Sequence, residues 1–316
     1  MNNTHKKYGL LILKVIVFVI ICWFIATKAD FTKIIESIKH ISLSSFIISF
    51  MLKLLGILAS IGVLTTSISI FQTKVSSKTV QSAYFSSYFF SNIGLGSLGA
   101  DAHKWFRINK EIDHSQTTTC ILITEKIMGL SVLAALLVSA YLGIILFHER
   151  ALLLLSPVIA LGLIYCTQFV TQWIAKRKVR WQFQEKLKNY LDQFQVITSN
   201  KKLLIKAITY SLLFYVLTIV SFDFIVRAIE PTYTPLLFSW IIIPTVIFIN
   251  TIPISFQGLG VREISMGYFF VLFGFSLETG LLAGFILLIL NIMISILSGL
   301  YYFFTQSIGS FIRKRD

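Results

Sequence analysis

Two short segments of this 316-residue sequence combine glycine, hydroxyl and charge. The first is Ser91-Asn92-Ile93-Gly94-Leu95-Gly96-Ser97-Leu98-Gly99-Ala100-Asp101, followed by the basic stretch His103-Lys104-Trp105-Phe106-Arg107. The second is Asn250-Thr251-Ile252-Pro253-Ile254-Ser255-Phe256-Gln257-Gly258-Leu259-Gly260-Val261-Arg262-Glu263. Glycines let a chain turn sharply, and backbone N–H groups left over at a helix start can meet an anion. Arginine adds a planar fork of donors that suits oxyanions. The chemistry is anion recognition, and the candidate substrate-binding residues are Gly96, Gly99, Asp101, Ser255, Gly258, Gly260, Arg262 and Glu263, with Arg262 on the phosphate or headgroup.

Each charge also has a plainer reading. If a helix toward Lys110 begins at Asp101, that residue is an N-cap, worth ~1 kcal/mol. Arg262 can pair with an acid while Glu263 complements the dipole of the helix that follows it. Aligning Leu98-Gly99 with Leu259-Gly260 pairs Ser97 with Gly258 and puts Asp101 opposite Arg262, half a chain away. Gly94, Gly96 and Gly99 satisfy GxGxxG, but no strand–helix–strand context surrounds them, so a dinucleotide site is excluded.

The remaining polar residues offer no catalytic constellation. Asp223 and Arg227 stand four apart, the spacing of an ion pair on one helix face. Lys14 and Lys53 are read as snorkelling to an interface, and Glu125 and Lys126 as sitting at the cytoplasmic mouth of the helix that follows. His5, His40, His103, His114 and His148 are dispersed. Cys22, Cys120 and Cys166 form no CxxC pair and read as buried thiols. The expectation is no cofactor, no metal and no enzyme activity.

These residues must be positioned inside a bilayer. Apolar residues are 56% of the chain and charged residues only 13%, far from the mixture of a soluble domain. Apolar blocks long enough to cross ~30 Å of hydrocarbon as helices run from Tyr8 to Thr27, Leu43 to Ile70, Ile127 to Phe147, Ala151 to Ile174, Leu203 to Val226 and Gly280 to Phe304. The first is read as a retained helix rather than a signal peptide, because Lys14 interrupts it and no small-x-small site follows. Tyr84 to Leu98 and Leu236 to Phe275 are apolar but broken by glycine or proline, so they read as half-helices or re-entrant hairpins. The fold class is an all-α polytopic membrane protein with six full spans plus two broken hairpins, or eight spans if these cross, arranged as an inverted repeat.

The net charge of +14 raises nucleic acid as a partner, but the basic residues sit in inter-helix loops. With the N-terminus in the cytoplasm, that side receives Lys6, Lys7, Lys74, Lys78, Lys104, Arg107, Lys110, the run from Lys176 to Lys206, and Arg313 to Arg315. The opposite side receives Lys28, Lys33, Lys39, Arg150 and Arg227. That bias predicts a multi-pass cell-membrane protein with both termini cytoplasmic, facing an anionic leaflet and binding no nucleic acid. Residues 1–316 form one membrane domain: a first half (1–175), a basic amphipathic cytoplasmic linker (176–202) and a second half (203–316).

At the two motifs the chain resembles the lysylphosphatidylglycerol synthase transmembrane family, also called the flippase-like domain family. Gly96, Leu98, Gly99 and Asp101 match a Gly-x-Leu-Gly-Gly-Asp segment, with Ala100 in place of a glycine. Pro253, Ser255, Gly258, Leu259, Gly260, Val261, Arg262 and Glu263 match Pro-x-Ser-x-Gly-Gly-Leu-Gly-Val-Arg-Glu, with Gln257 departing from it. The resemblance implies translocation of an anionic, aminoacylated or polyprenyl-linked lipid between leaflets. Larger family members carry a soluble aminoacyl-transfer domain with no counterpart in this sequence, which argues against synthase activity. Two alternatives stand beside a flippase: a membrane-embedded lipid-modifying transferase, and a noncatalytic subunit that docks a lipid- or glycan-synthesising enzyme.

Overall fold

A computed structural model describes residues 42–93, 96–142, 162, 200–230, 237–251 and 259–312, and among them every regular element is an α-helix. In chain order these are α1 (Leu43–Ile70), α2 (Ser77–Ile93), α3 (Ser97–Ile112), α4 (Ser115–Leu142), α5 (Lys201–Ile229), α6 (Leu237–Thr251), α7 (Val261–Leu272) and α8 (Leu277–Ile312). The spans expected at Tyr8 to Thr27 and Ala151 to Ile174, and most of the linker at 176–202, lie outside the described residues.

Helices α1, α4, α5 and α8 are long and apolar enough to cross a membrane. At 28 residues, α1 reaches about 42 Å, and α2, α3, α6 and α7, with 12 to 17 residues, about 18 to 26 Å, less than the ~30 Å hydrocarbon. The protein is therefore an all-α polytopic membrane protein in which two pairs of short helices interrupt the long ones. Long, short, short, long is the order in each half of the described chain.

One expectation is corrected here. Helix α4 begins at Ser115, so Glu125 and Lys126 sit nearly three turns inside it and not at its mouth. The apolar run starts only at Ile127, but the helix extends through the polar stretch before it because Lys104 and Asp101 of α3 neutralise both charges from outside.

The packing is reciprocal. Helices α1 and α5 make the most extensive interface and run antiparallel: Ser49 meets Ser221, Gly56 meets Phe214 and Gly62 meets Tyr210. The first short helix of each half then packs on the last long helix of the other, α2 on α8 and α6 on α4. Glycine brings the backbones close, as small residues do between membrane helices. A Cβ at Gly280 of α8 would lie 2.7 Å from the Gly267 Cα of α7, and one at Gly284 would lie 3.0 Å from the Glu263 Cα.

The core is apolar on the inside and apolar again on the rim. Ile219, Phe222, Phe270, Ala283 and Leu290 are wholly buried, while Ile47, Met51, Leu55 and Leu58 on α1 and Ile289, Ile292, Ile296 and Leu300 on α8 are exposed at helical spacing. In a bilayer those stripes face lipid. Hydroxyls inside the helices are satisfied locally: Thr66, Ser67, Thr124 and Thr218 each donate to the carbonyl four residues back. Cys120 is buried as read, whereas Cys22 and Cys166 lie outside the described residues.

Candidate functional site

The two broken segments are built differently. In the first, polar side chains stitch α2 to α3: Arg107 Nη2 donates to Ser82 Oγ at 3.0 Å, and Ser86 Oγ lies 2.7 Å from His103 Nε2. His103 also stacks on Phe90 with centroids 4.1 Å apart, so it holds the hairpin together. At the open end the Glu111 carboxylate accepts from Ser76 N at 2.7 Å, Ser76 Oγ at 3.1 Å and Thr79 Oγ1. In the second segment, α6 meets α7 through Phe238 against Phe273, and α7 is pressed onto α8 at the glycines just described.

Glycine opens the second arm of both. Gly96 precedes α3 with φ 65°, and Gly260 precedes α7 with φ 79°, backbone that side chains disfavour. The Gly99 and Ala100 N–H groups bond back to Gly96 O at 3.1 and 3.3 Å, so α3 starts four residues before Asp101. Asp101 is not an N-cap. Taking the two glycines as equivalent also shifts the motif alignment: Asp101 is the fifth helical residue and Arg262 the second, nearly one turn out of register.

Freed from capping, the Asp101 carboxylate joins a cluster between α3 and α4. Lys104 Nζ lies 3.4 Å from Asp101 Oδ1 and donates to both Glu125 oxygens, at 2.8 and 2.9 Å, while Lys126 Nζ pairs with Asp101 Oδ2. The face of Tyr84 covers the Lys104 ammonium at 5.0 Å. Lys104, expected in a cytoplasmic loop, is 6% exposed, and Glu125 is 9% exposed, which two opposite charges with matched hydrogen bonds can sustain.

The other motif forms its own pair. Arg262 Nη2 and Nε donate to Glu263 Oε1 at 2.6 and 3.0 Å. Glu263 Oε2 accepts from the Gly260 N–H at 2.6 Å, one half of a capping box, since glycine has no side chain to supply the other half. Both residues are buried. Lys53 lies within Coulombic range of Arg262 and donates to Asn291 Oδ1 at 2.6 Å, bridging α1 and α8. That corrects the snorkelling expected of it; Lys14 lies outside the described residues. Asp223 pairs with Arg227 at 2.8 Å.

Between the halves lies a cavity of about 520 Å³. Its walls are Ser60 and Val63 of α1, Tyr84 of α2, Ser97 at the start of α3, Glu125, Lys126 and Gly129 of α4, Ser211 and Tyr215 of α5, and Asn250 and Thr251 at the end of α6. The break of each motif thus borders one space. Ser211 Oγ and Asn250 Oδ1, on two of its lining residues, are buried with no hydrogen-bond partner among the described residues. Such atoms are costly in an apolar interior.

Of the residues singled out by sequence, Gly96, Gly99 and Asp101 lie at the break or in the α3–α4 cluster beside this cavity. Arg262 and Glu263 form a separate pair on α7, joined by the Gly260 N–H, and none of the three is among the cavity's lining residues. Ser255 and Gly258 fall outside the described residues. Sequence reasoning passed over Ser211, Asn250 and Lys126 as wall residues. A lone hydroxyl, amide or ammonium in or beside an apolar run was the available signal.

The family model described as "Lysylphosphatidylglycerol synthase TM region" matches residues 11–299. No match was found among the curated proteins.

Proposed function

The chain belongs to the lysylphosphatidylglycerol synthase TM-region family, and from that premise we propose that it moves a polar-headed, anionic lipid between leaflets through the cavity between its two broken segments. The observation that carries this reading is a cavity bordered by both breaks and lined by hydroxyl, amide and charged residues, Ser97, Ser211, Asn250, Glu125 and Lys126 among them. A headgroup meets hydroxyl, amide and charge there while its tails stay in lipid against the exposed apolar stripes.

The antiparallel α1–α5 interface and the exchanged packing of α2 on α8 and α6 on α4 support an inverted repeat. In such an arrangement the two halves rock about a shared site, opening it to one leaflet and then the other. We place both termini in the cytoplasm on the lysine and arginine bias, which sets the basic segments against the anionic leaflet. Arg262, locked to Glu263 at the start of α7, holds the second break rigid in this reading and contacts a headgroup only when that pair opens.

The test is transbilayer exchange in liposomes of phosphatidylcholine and phosphatidylglycerol containing a trace of tail-labelled phosphatidylglycerol. Purified protein should expose the inner-leaflet label to a membrane-impermeant quencher faster than protein-free vesicles do. Exchange at the protein-free rate would contradict transport and favour a noncatalytic subunit, whereas chemical alteration of the labelled lipid would favour a transferase.

A further inference from the structure

Of the four clustered charges, Lys126 stands apart. Lys104 is buried and bonded to both oxygens of Glu125, so neither can leave without stranding a charge in a low-dielectric interior. The Lys126 side chain is 46% exposed, lines the cavity, and is held by Asp101 alone among the described residues. Asp101 has a second cation in Lys104 and stays paired if Lys126 departs.

The surroundings are suited to an anion. Ser97, in the first turn of α3, brings that helix's N-terminus to the cavity, and no side chain caps it among the described residues. Ser211 and Asn250 line the same space, and Ser211 Oγ and Asn250 Oδ1 are buried with no hydrogen-bond partner among the described residues. The orphan on Asn250 is a carbonyl oxygen, which asks for a donor.

The geometry points to a counter-ion exchange: a phosphate group entering the cavity takes the Lys126 ammonium from Asp101, and a hydroxyl or ammonium beside that phosphate bonds Asn250. Asp101 is then an internal competitor for the ligand's cation, not a ligand contact. The inference rests on the cavity being the headgroup site. It adds which residue binds the anion and which residue limits its affinity.

Opposite signs are the test. Full-length protein in maltoside micelles is titrated with dioctanoyl phosphatidylglycerol, with inorganic phosphate, and with dioctanoylglycerol, which lacks phosphate. Lys126→Gln should weaken phosphatidylglycerol binding and Asp101→Asn should strengthen it, roughly tenfold each way, the worth of one charge-assisted hydrogen bond. Dioctanoylglycerol binding should ignore both changes. The same ordering with inorganic phosphate assigns the exchange to phosphate itself, and an ordering confined to the lipid assigns it to the intact headgroup.

A merely structural cluster would lose affinity in both variants, and that result, equal affinity throughout, or no binding by the wild type overturns the exchange. Should Asp101→Asn fail to fold, Lys126→Arg against Lys126→Gln decides: Arg must keep the affinity that Gln loses. Binding in the expected order without liposome exchange would sink the transport reading alone. Liposome exchange without that order would sink only this one.

Discussion

Ser49 and Ser221, 172 residues apart, exchange hydrogen bonds: the Ser49 hydroxyl donates to the Ser221 carbonyl at 2.8 Å, and the Ser221 hydroxyl returns the bond to the Ser49 carbonyl at 2.9 Å. Both are wholly buried. The pair pins α1 antiparallel to α5 and so fixes how the two halves of the chain face each other. Ser49→Ala and Ser221→Ala should each lower thermal stability by about 0.5–1 kcal/mol, the range for buried bonds within membranes. Ser49→Leu should cost several times more by forcing the helices apart. Calorimetry in detergent reads both, and a stabilised Ser49→Leu protein would contradict the interface.

Close backbone approach makes a second prediction. A side chain at Gly280 meets the backbone of Met266 and Gly267 at 2.7 Å, where nothing flexible can yield. Gly280→Ala should destabilise by about 1–3 kcal/mol and loosen α7, the helix that carries Arg262 and Glu263. Gly129, whose added Cβ would meet only the Tyr215 hydroxyl, at 3.9 Å, should accept alanine with no loss. Equal effects at the two glycines would sink this account of α7.

The Lys104–Glu125 pair gives a third. Lys104→Met alone leaves a buried carboxylate short of its partner and should cost about 3–5 kcal/mol. Replacing both, Lys104→Met with Glu125→Leu, should recover most of that loss, because the desolvation cost of the pair disappears with it. Urea or thermal unfolding of the two single variants and the double one completes a cycle, and additive losses would refute the coupling.

Glu111, at the open end of the first hairpin, links stability to pH. Burial works to raise its pKa, but hydrogen bonds from Thr79 and Ser76, together with Arg107, outweigh it and hold the carboxyl below the usual range. A depressed folded-state pKa adds stability that is present above the unfolded value, ~4.3, and lost as pH falls through the folded one. The wild-type melting temperature should therefore drop more steeply below about pH 4 than that of Glu111→Gln. Parallel profiles would show that the Ser76–Thr79–Glu111 contact contributes nothing.

How much of this was legible in sequence depends on whether the signal was local. The α1 limits, Leu43 to Ile70, follow from a long, mainly apolar run free of proline and coincide with the helix. The breaks at both glycine motifs were legible because Gly96 and Gly260 carry backbone conformations that few other residues accept. Cap and ligand contact both stood open for Asp101 in the sequence, because its partners, Lys104 and Lys126, come from one turn ahead and from another helix. Glu125 and Lys126 resembled the end of a span for the same reason. Ser211 and Asn250 become conspicuous only when six helices enclose the same space.

The central claim is passage of a headgroup through that space, and filling it is the most direct challenge. Gly129 lines the cavity and an added Cβ there would meet only the Tyr215 hydroxyl, at 3.9 Å, so Gly129→Leu adds bulk at this wall on a better helix former. Exchange of tail-labelled phosphatidylglycerol is measured in liposomes carrying equal amounts of wild-type and Gly129→Leu protein, each checked by its melting temperature. The account predicts accelerated exchange for the wild type and the protein-free rate for a fully folded Gly129→Leu protein. Wild-type exchange through the filled cavity would contradict it.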